Sequence, residues 1–335
     1  MINVAIIGYG YWGKNLVRNF NALDSCEVTY VCEKDATKAQ KCIKLYPKIK
    51  VVSDYNILMR DDTSQAIVIA TPVDSHYQLA KAALKNGKHV LVEKPLTSSF
   101  AEANELMELA NSLELLIMVD HTFLYTGAVR YLKEQADNGV FGNINYVDST
   151  RINLGLFQHD VNVLWDLAPH DISICNWLIN KKPISVQATG ISHTDNNIEN
   201  IAFLTLKYEY NTIAHFNCSW VSPVKIRQML IGGDKKMVAY NDMEPTEKIK
   251  VYDTGFKVRS DEEKHLFNAD YRVGDIHVPK IPTTEGLLFM AKDFINCIIK
   301  GTKPDSDVES GVKVVEILEK AEYSIKNKGI EITLS

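Results

Sequence analysis

The sequence has none of the long apolar runs, cysteine pairs or basic tracts that mark several common protein classes. No segment approaches the ~20 consecutive apolar residues that a membrane helix requires. The six cysteines are scattered without a CxxC pair, which excludes a disulfide scaffold, and no ligand spacing suggests a bound metal. With 37 Lys and Arg against 42 Asp and Glu, the net charge is −5. No sequence-wide basic field therefore favours nucleic acid or a membrane surface as a partner.

The composition is that of an ordinary globular protein. The chain has 335 residues, of which 46% are hydrophobic and 24% charged, and at ~150 residues per domain this length predicts roughly two domains. The first seven residues lack a basic region and resemble a core strand rather than a secretion signal. We therefore expect a cytoplasmic protein with reduced cysteines.

The order of apolar runs predicts an α/β fold with two domains. Residues 1–120 alternate short Val/Ile/Leu-rich runs with helical patterns, which is typical of a doubly wound parallel sheet whose faces are both covered. Residues 121–335 mix helical stretches with strands at intervals of about ten residues, which predicts an α+β domain with an open, mostly antiparallel sheet and C-terminal helices.

A GxGxxG motif follows the first predicted strand and opens the first predicted helix. Its glycines are Gly8, Gly10 and Gly13, and Tyr11 and Trp12 stand between the last two. In this context the first glycine permits a tight turn, the second a close approach of backbone to a pyrophosphate, and the third close helix–strand packing. The helix N-terminus offers N–H groups to the phosphates. The motif predicts a dinucleotide-binding domain, and all five residues are expected at the cofactor.

An acidic residue at the end of the second strand bears on the choice of cofactor. Glu33 stands 20 residues after the last glycine, where a carboxylate can accept hydrogen bonds from the adenosine ribose and repel a 2′-phosphate. This favours NAD over NADP, although the neighbouring Lys34 could instead pair with that phosphate. FAD uses a similar loop, but nothing in the second half supports a flavin site.

Further polar side chains follow the fourth and fifth strands, at the edge where open α/β sheets bind ligands. Pro95 biases Lys94 toward an extended backbone, which would hold its ammonium over the nicotinamide end of the cofactor. We expect these residues to contact the cofactor: Thr71, Pro72, His76, Glu93 and Lys94.

Four motifs in order resemble the glucose–fructose oxidoreductase/inositol dehydrogenase family (Gfo/Idh/MocA). They are the glycine loop, Thr71-Pro72…His76, Glu93-Lys94-Pro95 and Asp166…His170-Asp171, and the resemblance covers essentially the whole chain. It implies a Rossmann domain, a second domain whose open sheet supports a homodimer or homotetramer, and NAD(P)-dependent oxidation or reduction of a sugar or cyclitol hydroxyl. It places Lys94 and His170 at catalytic positions, with Asp166 as the acidic partner.

These residue types suit that chemistry. Oxidising a secondary alcohol needs a base for the hydroxyl proton, and a histidine of near-neutral pKa can take it. A lysine ammonium can stabilise the developing alkoxide charge. Asp166 and His170 are four residues apart and share a helix face if the helix continues through Pro169. A metal at this pair is not expected, because no further ligands follow at fitting spacing.

Within the family, three segments resemble a nucleotide-sugar subgroup that includes UDP-N-acetylglucosamine 3-dehydrogenases. They are residues 8–20, 121–125 and 151–171; His121, in the second, is expected at the cofactor. Arg151 could pair with a nucleotide diphosphate or be an exposed strand-edge arginine. The expected substrate-binding residues are Lys94, Arg151, Asn162, Trp165, Asp166 and His170. The alternatives are an oxidoreductase of a free sugar, cyclitol or keto-sugar, and a nonenzymatic NAD-sensing regulator.

Overall fold

The computed structural model describes residues 1–155, 157–158, 161–257 and 270–335. Within these ranges, no helix combines the length and the apolar character that crossing a membrane requires.

The chain divides into two compact units, and the division differs from the expected boundary at residue 120. The first unit joins Met1–Thr126 to Thr284–Glu316, and the second joins Gly127–Thr283 to Ile317–Ser335. The chain returns to the first unit because apolar and polar contacts hold it there. Phe294 packs edge-on against Phe20, with ring centroids 6.2 Å apart, and Asp293 accepts a hydrogen bond of 2.8 Å from the Tyr125 hydroxyl.

The first unit contains a six-stranded parallel sheet within the described residues, in the order β3-β2-β1-β4-β5-β6. All four residues of its central strand β4 are fully buried, as expected for a strand with helices on both faces. The order reverses between β1 and β4, which is the switch point of a doubly wound fold. The strands are β1 (Ile2–Ile7), β2 (Cys26–Cys32), β3 (Lys50–Val52), β4 (Ala66–Ile69), β5 (His89–Glu93) and β6 (Ile117–Asp120).

Helices connect these strands, and side chains cap two of them. Asp35 accepts hydrogen bonds from the backbone N–H groups of Thr37 and Lys38, and Ser99 accepts one of 3.3 Å from Glu102 N–H, as its capping-box spacing predicts. The helices are α1 (Tyr11–Asn21), α2 (Ala36–Leu45), α3 (Asn56–Arg60), α4 (His76–Lys85) and α5 (Phe100–Ser112), and α8 (Gly286–Lys300) belongs to the same unit.

The second unit has a nine-stranded sheet within the described residues, in the order β14-β13-β12-β11-β7-β10-β9-β8-β15. Its described pairs are antiparallel except for β7 with β10, which confirms the mostly antiparallel expectation. The helices α6 (Gly127–Asp137) and α7 (Val163–Ile179) precede most of these strands, and α9 (Val308–Lys326) ends in this unit. The strands are β7 (Ile144–Leu154), β8 (Pro183–Ile191), β9 (Ile201–Tyr208), β10 (Thr212–Ser219), β11 (Val221–Gly233), β12 (Met237–Asn241), β13 (Ile249–Lys257), β14 (Asp270–His277) and β15 (Ile332–Thr333).

Candidate functional site

The glycine loop between β1 and α1 has the geometry that its motif predicts. Gly8 has φ +96°, and a Cβ built there would lie 2.4 Å from the carbonyl oxygen of Ala70. A Cβ on Gly13 would lie 2.1 Å from the carbonyl oxygen of Gly8. A Cβ on Gly10 would meet nothing within 4 Å. Two glycines are therefore required by the protein's own packing, while the third faces open space that a ligand can occupy.

The N-terminus of α1 presents its backbone N–H groups without a side-chain cap. Gly10 is the N-cap residue, and the first turn carries no acidic side chain. Tyr11 and Trp12 begin the helix, and their side chains are exposed. An uncapped helix N-terminus beside an open glycine favours binding of phosphate oxygens.

Glu33 follows β2 and is fixed by the backbone on both sides. One oxygen accepts a 2.8 Å hydrogen bond from Tyr9 N–H in the glycine loop, and the other accepts a 2.8 Å bond from Asp35 N–H. Its carboxylate therefore stands beside the glycine loop in a defined orientation.

A cleft of about 430 Å³ lies at this edge of the sheet. Its size and its mixture of backbone, carboxylate and small side chains fit a dinucleotide. The predicted cofactor residues that line it are Gly8, Gly10, Glu33, Lys34, Thr71 and Pro72.

His76, which was expected at the cofactor, supports this edge from inside. The ring is buried, with Nδ1 2.9 Å from the Pro95 carbonyl oxygen and Nε2 2.8 Å from that of Thr71. Burial lowers its pKa. The imidazole therefore ties together the loops that follow β4 and β5.

Glu93 and His121, both expected at the cofactor, are buried and do not line this cleft. Glu93 is the last residue of β5 and lies opposite Asp120, the last residue of β6. Lys94, the next residue after Glu93, is half-buried. Of the residues expected after β5 and β6, Lys94 thus remains the candidate for ligand contact.

In the second unit, α7 runs without interruption through Pro169. Asp166 and His170 consequently lie one turn apart on the same helix face. The Asp166 carboxylate accepts a 3.0 Å hydrogen bond from the Trp220 indole N–H, which fixes its orientation. Sequence reasoning missed Trp220, which lies between β10 and β11.

Three predicted substrate-binding residues form hydrogen bonds with other parts of the protein. Arg151 is buried, and its Nε and Nη2 donate to the Asp171 carboxylate over 2.9 and 2.5 Å; it is neither free for a diphosphate nor exposed at a strand edge. The Asn162 side chain caps α7 by accepting from two backbone N–H groups. The Trp165 indole N–H donates to Glu322 over 2.9 Å from a buried ring.

No group of histidine, cysteine, aspartate or glutamate side chains suited to a metal ion occurs in the described part of the chain. Asp166 and Asp171 are instead bonded to Trp220 and Arg151.

The doubly wound sheet, glycine loop and fixed Glu33 define a dinucleotide-binding protein. Residues 2–121 match the family described as "Oxidoreductase family, NAD-binding Rossmann fold", and residues 129–239 match "GFO/IDH/MocA C-terminal domain". The chain therefore belongs to the GFO/IDH/MocA oxidoreductase family, and its first domain is an NAD-binding Rossmann domain.

Named relatives are similar over different parts of the chain. The oxidoreductase YdgJ of Escherichia coli is 35% identical over 182 residues, covering 50% of this chain and 51% of that protein; the chain thus spans about half the length of this relative. UDP-N-acetylglucosamine 3-dehydrogenase of Acidithiobacillus ferrooxidans is 26% identical over 234 residues, covering 69% and 71%. The scyllo-inositol 2-dehydrogenase (NADP(+)) IolW of Bacillus subtilis is 22% identical over 352 residues, covering 98% and 94%.

Solved structures share the fold over nearly the full length. UDP-N-acetylglucosamine 3-dehydrogenase GnnA from Acidithiobacillus ferrooxidans has a TM-score of 0.80 at 21% identity, covering 97% of this chain and 98% of that chain. GenD2 from gentamicin A biosynthesis, solved in complex with NAD, has a TM-score of 0.83 at 19% identity, covering 100% and 96%.

Proposed function

We propose that this chain is an NAD-dependent dehydrogenase that oxidises a secondary hydroxyl, at C3, of a UDP-N-acetyl amino sugar. The observation that carries the proposal is the continuous helix α7, which holds Asp166 and His170 one turn apart with Asp166 fixed by Trp220. The nucleotide-sugar substrate is supported by the 26% identity to UDP-N-acetylglucosamine 3-dehydrogenase.

Two side chains would handle the proton in this reaction. Lys94 would donate a hydrogen bond to the substrate oxygen and stabilise its developing negative charge. His170 would accept the hydroxyl proton as general base, with Asp166 on the same helix face favouring the imidazolium that results. NAD, when bound, supplies the nicotinamide that accepts the hydride.

Glu33 supports NAD rather than NADP as the cofactor. Its carboxylate is held beside the glycine loop by two backbone N–H groups and would repel a 2′-phosphate. Lys34 and Lys38 line the same cleft and are the residues that would oppose this preference. Comparing NAD with NADP in the assay below tests it.

A substrate screen distinguishes the candidate functions. The protein is incubated with NAD or NADP and UDP-N-acetylglucosamine, UDP-glucose, free N-acetylglucosamine, myo-inositol or scyllo-inositol, and NAD(P)H absorbance is followed. We expect turnover with UDP-N-acetylglucosamine, and mass spectrometry after borodeuteride reduction should place the new carbonyl at C3. Preference for an inositol, on which the similar IolW acts by its name, would favour the cyclitol alternative; NAD binding without turnover would favour a sensor.

Variants test the assigned roles. Lys94→Ala and His170→Ala should each lower kcat about 10²–10⁴-fold, the usual contribution of a proton-transfer group, while the affinity for NAD changes little. Lys85→Ala, an exposed lysine at the end of α4, is the matched control and should retain full activity. Loss of NAD binding in Lys94→Ala would contradict the catalytic assignment.

The expected homodimer or homotetramer stays a prediction. Its support is the exposed face of the second sheet, which presents Tyr146, Phe203, Ile213 and Leu230. Strand register and side-chain alternation put these residues on the same face, and a patch of this kind is typical of a protein interface.

A further inference from the structure

Two carboxyl groups are buried side by side at the carboxyl edge of the first sheet. Glu93 ends β5 and Asp120 ends β6, and the two residues pair directly in the strand register. Their relative exposures are 7% and 2%. Two ionised carboxylates in such a position would repel each other in a medium of low dielectric constant, so the pair needs either a proton or a cation.

One oxygen of each carboxyl accepts a hydrogen bond. Glu93 Oε2 accepts from Lys94 N–H over 3.2 Å, and Asp120 Oδ1 accepts from the Thr122 hydroxyl. The other two oxygens, Glu93 Oε1 and Asp120 Oδ2, are buried without a hydrogen-bond partner among the described residues, on neighbouring positions of the strand register. A single proton between these oxygens would satisfy both.

The charged groups around the pair come from three elements. Lys94 follows Glu93, and its positive charge acts on both carboxyls. His121 follows Asp120, but burial, and then the charge of Lys94, lower its pKa to about 3, so it is neutral near pH 7. Asp307, which bridges to Met118 of β6, accepts a 2.9 Å hydrogen bond from Ser310 N–H.

Burial and the charge of Asp120 raise the pKa of Glu93 well above its usual range, and burial also raises the pKa of Asp120. Both directions agree with the geometry, since an acidic pair that retains one proton avoids placing two like charges together.

We propose that Glu93 and Asp120 hold one proton between them and act as a buried anion of single charge that positions Lys94. Both are positioning residues, because they act through Lys94. The part that Lys94 plays in turnover rests on the function proposed above, whereas the shared proton and the charge balance do not.

Infrared spectroscopy tests the shared proton without any substrate. The protein at pH 7 should show the carbonyl band of a protonated carboxyl group that disappears in Glu93→Gln and also in Asp120→Asn. Each substitution removes one carboxyl and leaves the other alone beside Lys94, where it should ionise. The exposed Asp148→Asn is the control and should leave the band unchanged. Loss of the band in only one variant, or in neither, would show that the proton is not shared.

The charge balance is tested on the Lys94 amine itself. Each single variant keeps one negative charge, so labelling of Lys94 by an amine-reactive reagent, followed by mass spectrometry, should stay near the wild-type rate. The double variant Glu93→Gln/Asp120→Asn retains two side chains able to bond each other but has no charge. Its Lys94 should label faster at fixed pH, because no buried negative charge then holds the ammonium in place.

Circular dichroism and NAD binding verify that the variants are folded. A double variant that is folded and labels at the wild-type rate would overturn the proposal. Should the double variant fail to fold, the infrared comparison of the two single variants still decides it. If the substrate screen finds no turnover while both physical results hold, the proposed function fails and this inference stands.

Discussion

The glycine loop of the first unit and the segment from β7 to α7 of the second unit were equally rich in predicted site residues, but the structure uses them differently. In the loop, a Cβ on Gly10 would meet nothing within 4 Å, and Gly10 lines a cleft together with Glu33 and Thr71 from neighbouring segments. In the second segment, Arg151 and Asn162 instead form hydrogen bonds inside the protein.

The difference follows from what each pattern encodes. A GxGxxG motif indicates backbone geometry, because side chains at Gly8 and Gly13 would collide with carbonyl oxygens. A sequence pattern fixed by such collisions has few alternative interpretations. A polar side chain such as that of Arg151 can bind a ligand or satisfy another buried group, and sequence alone does not separate these uses.

Removing the Arg151 guanidinium tests most directly whether this residue has a structural role or a ligand-binding role. Arg151→Met leaves the Asp171 carboxylate buried without its partner, so the free energy of unfolding should fall by about 3–5 kcal/mol, measured by urea denaturation. Asp171→Leu added to Arg151→Met should recover part of this loss, because no unpaired charge remains. A stable Arg151→Met protein with a raised KM for substrate would instead indicate that Arg151 binds the substrate.

An exposed pair provides the comparison for that measurement. Arg18 and Glu285 form an ion pair whose side chains are both largely exposed. Arg18→Met should therefore change the free energy of unfolding by less than about 1 kcal/mol.

The glycine loop allows stability and binding to be separated. Gly8→Ala should lower the free energy of unfolding by about 2–3 kcal/mol, since it combines a positive φ with a backbone collision. Gly10→Ala should leave stability nearly unchanged, because its φ is −73° and its Cβ meets nothing, yet it should weaken NAD binding at least tenfold. Thermal unfolding and NAD titration measure the two effects. Tight NAD binding by Gly10→Ala would mean that no pyrophosphate approaches this backbone.

Sequence reasoning was strongest where local geometry or periodicity fixed the answer. The parallel and antiparallel sheets were predicted correctly because continuous and alternating apolar runs report which faces are covered. The return of Asp293 and Phe294 to the first unit was not predicted, because it depends on contacts between residues far apart in sequence.

The polar residues at the carboxyl edge of the first sheet show where prediction from the sequence fails. His76 and His121 carry ordinary polar side chains in the sequence, but strand ends and loop carbonyls enclose them. Asp120 was overlooked, although its place at the end of a strand adjacent to that of Glu93 could have indicated the carboxyl pair. Whether such a side chain faces the cleft or the interior depends on register, which the sequence patterns did not resolve.

Acid should therefore destabilise the first unit through the histidines enclosed in it. Burial lowers the pKa of His121 to about 3, whereas in the unfolded chain it takes up a proton below about pH 6.5. The free energy of unfolding consequently falls by about 1.4 kcal/mol per pH unit between these values. His121→Leu should remove this contribution and flatten the loss of stability between pH 6.5 and 5, measured by urea denaturation. His277→Leu, at the exposed end of β14, is the control. An equal flattening in both variants would contradict the enclosure of His121.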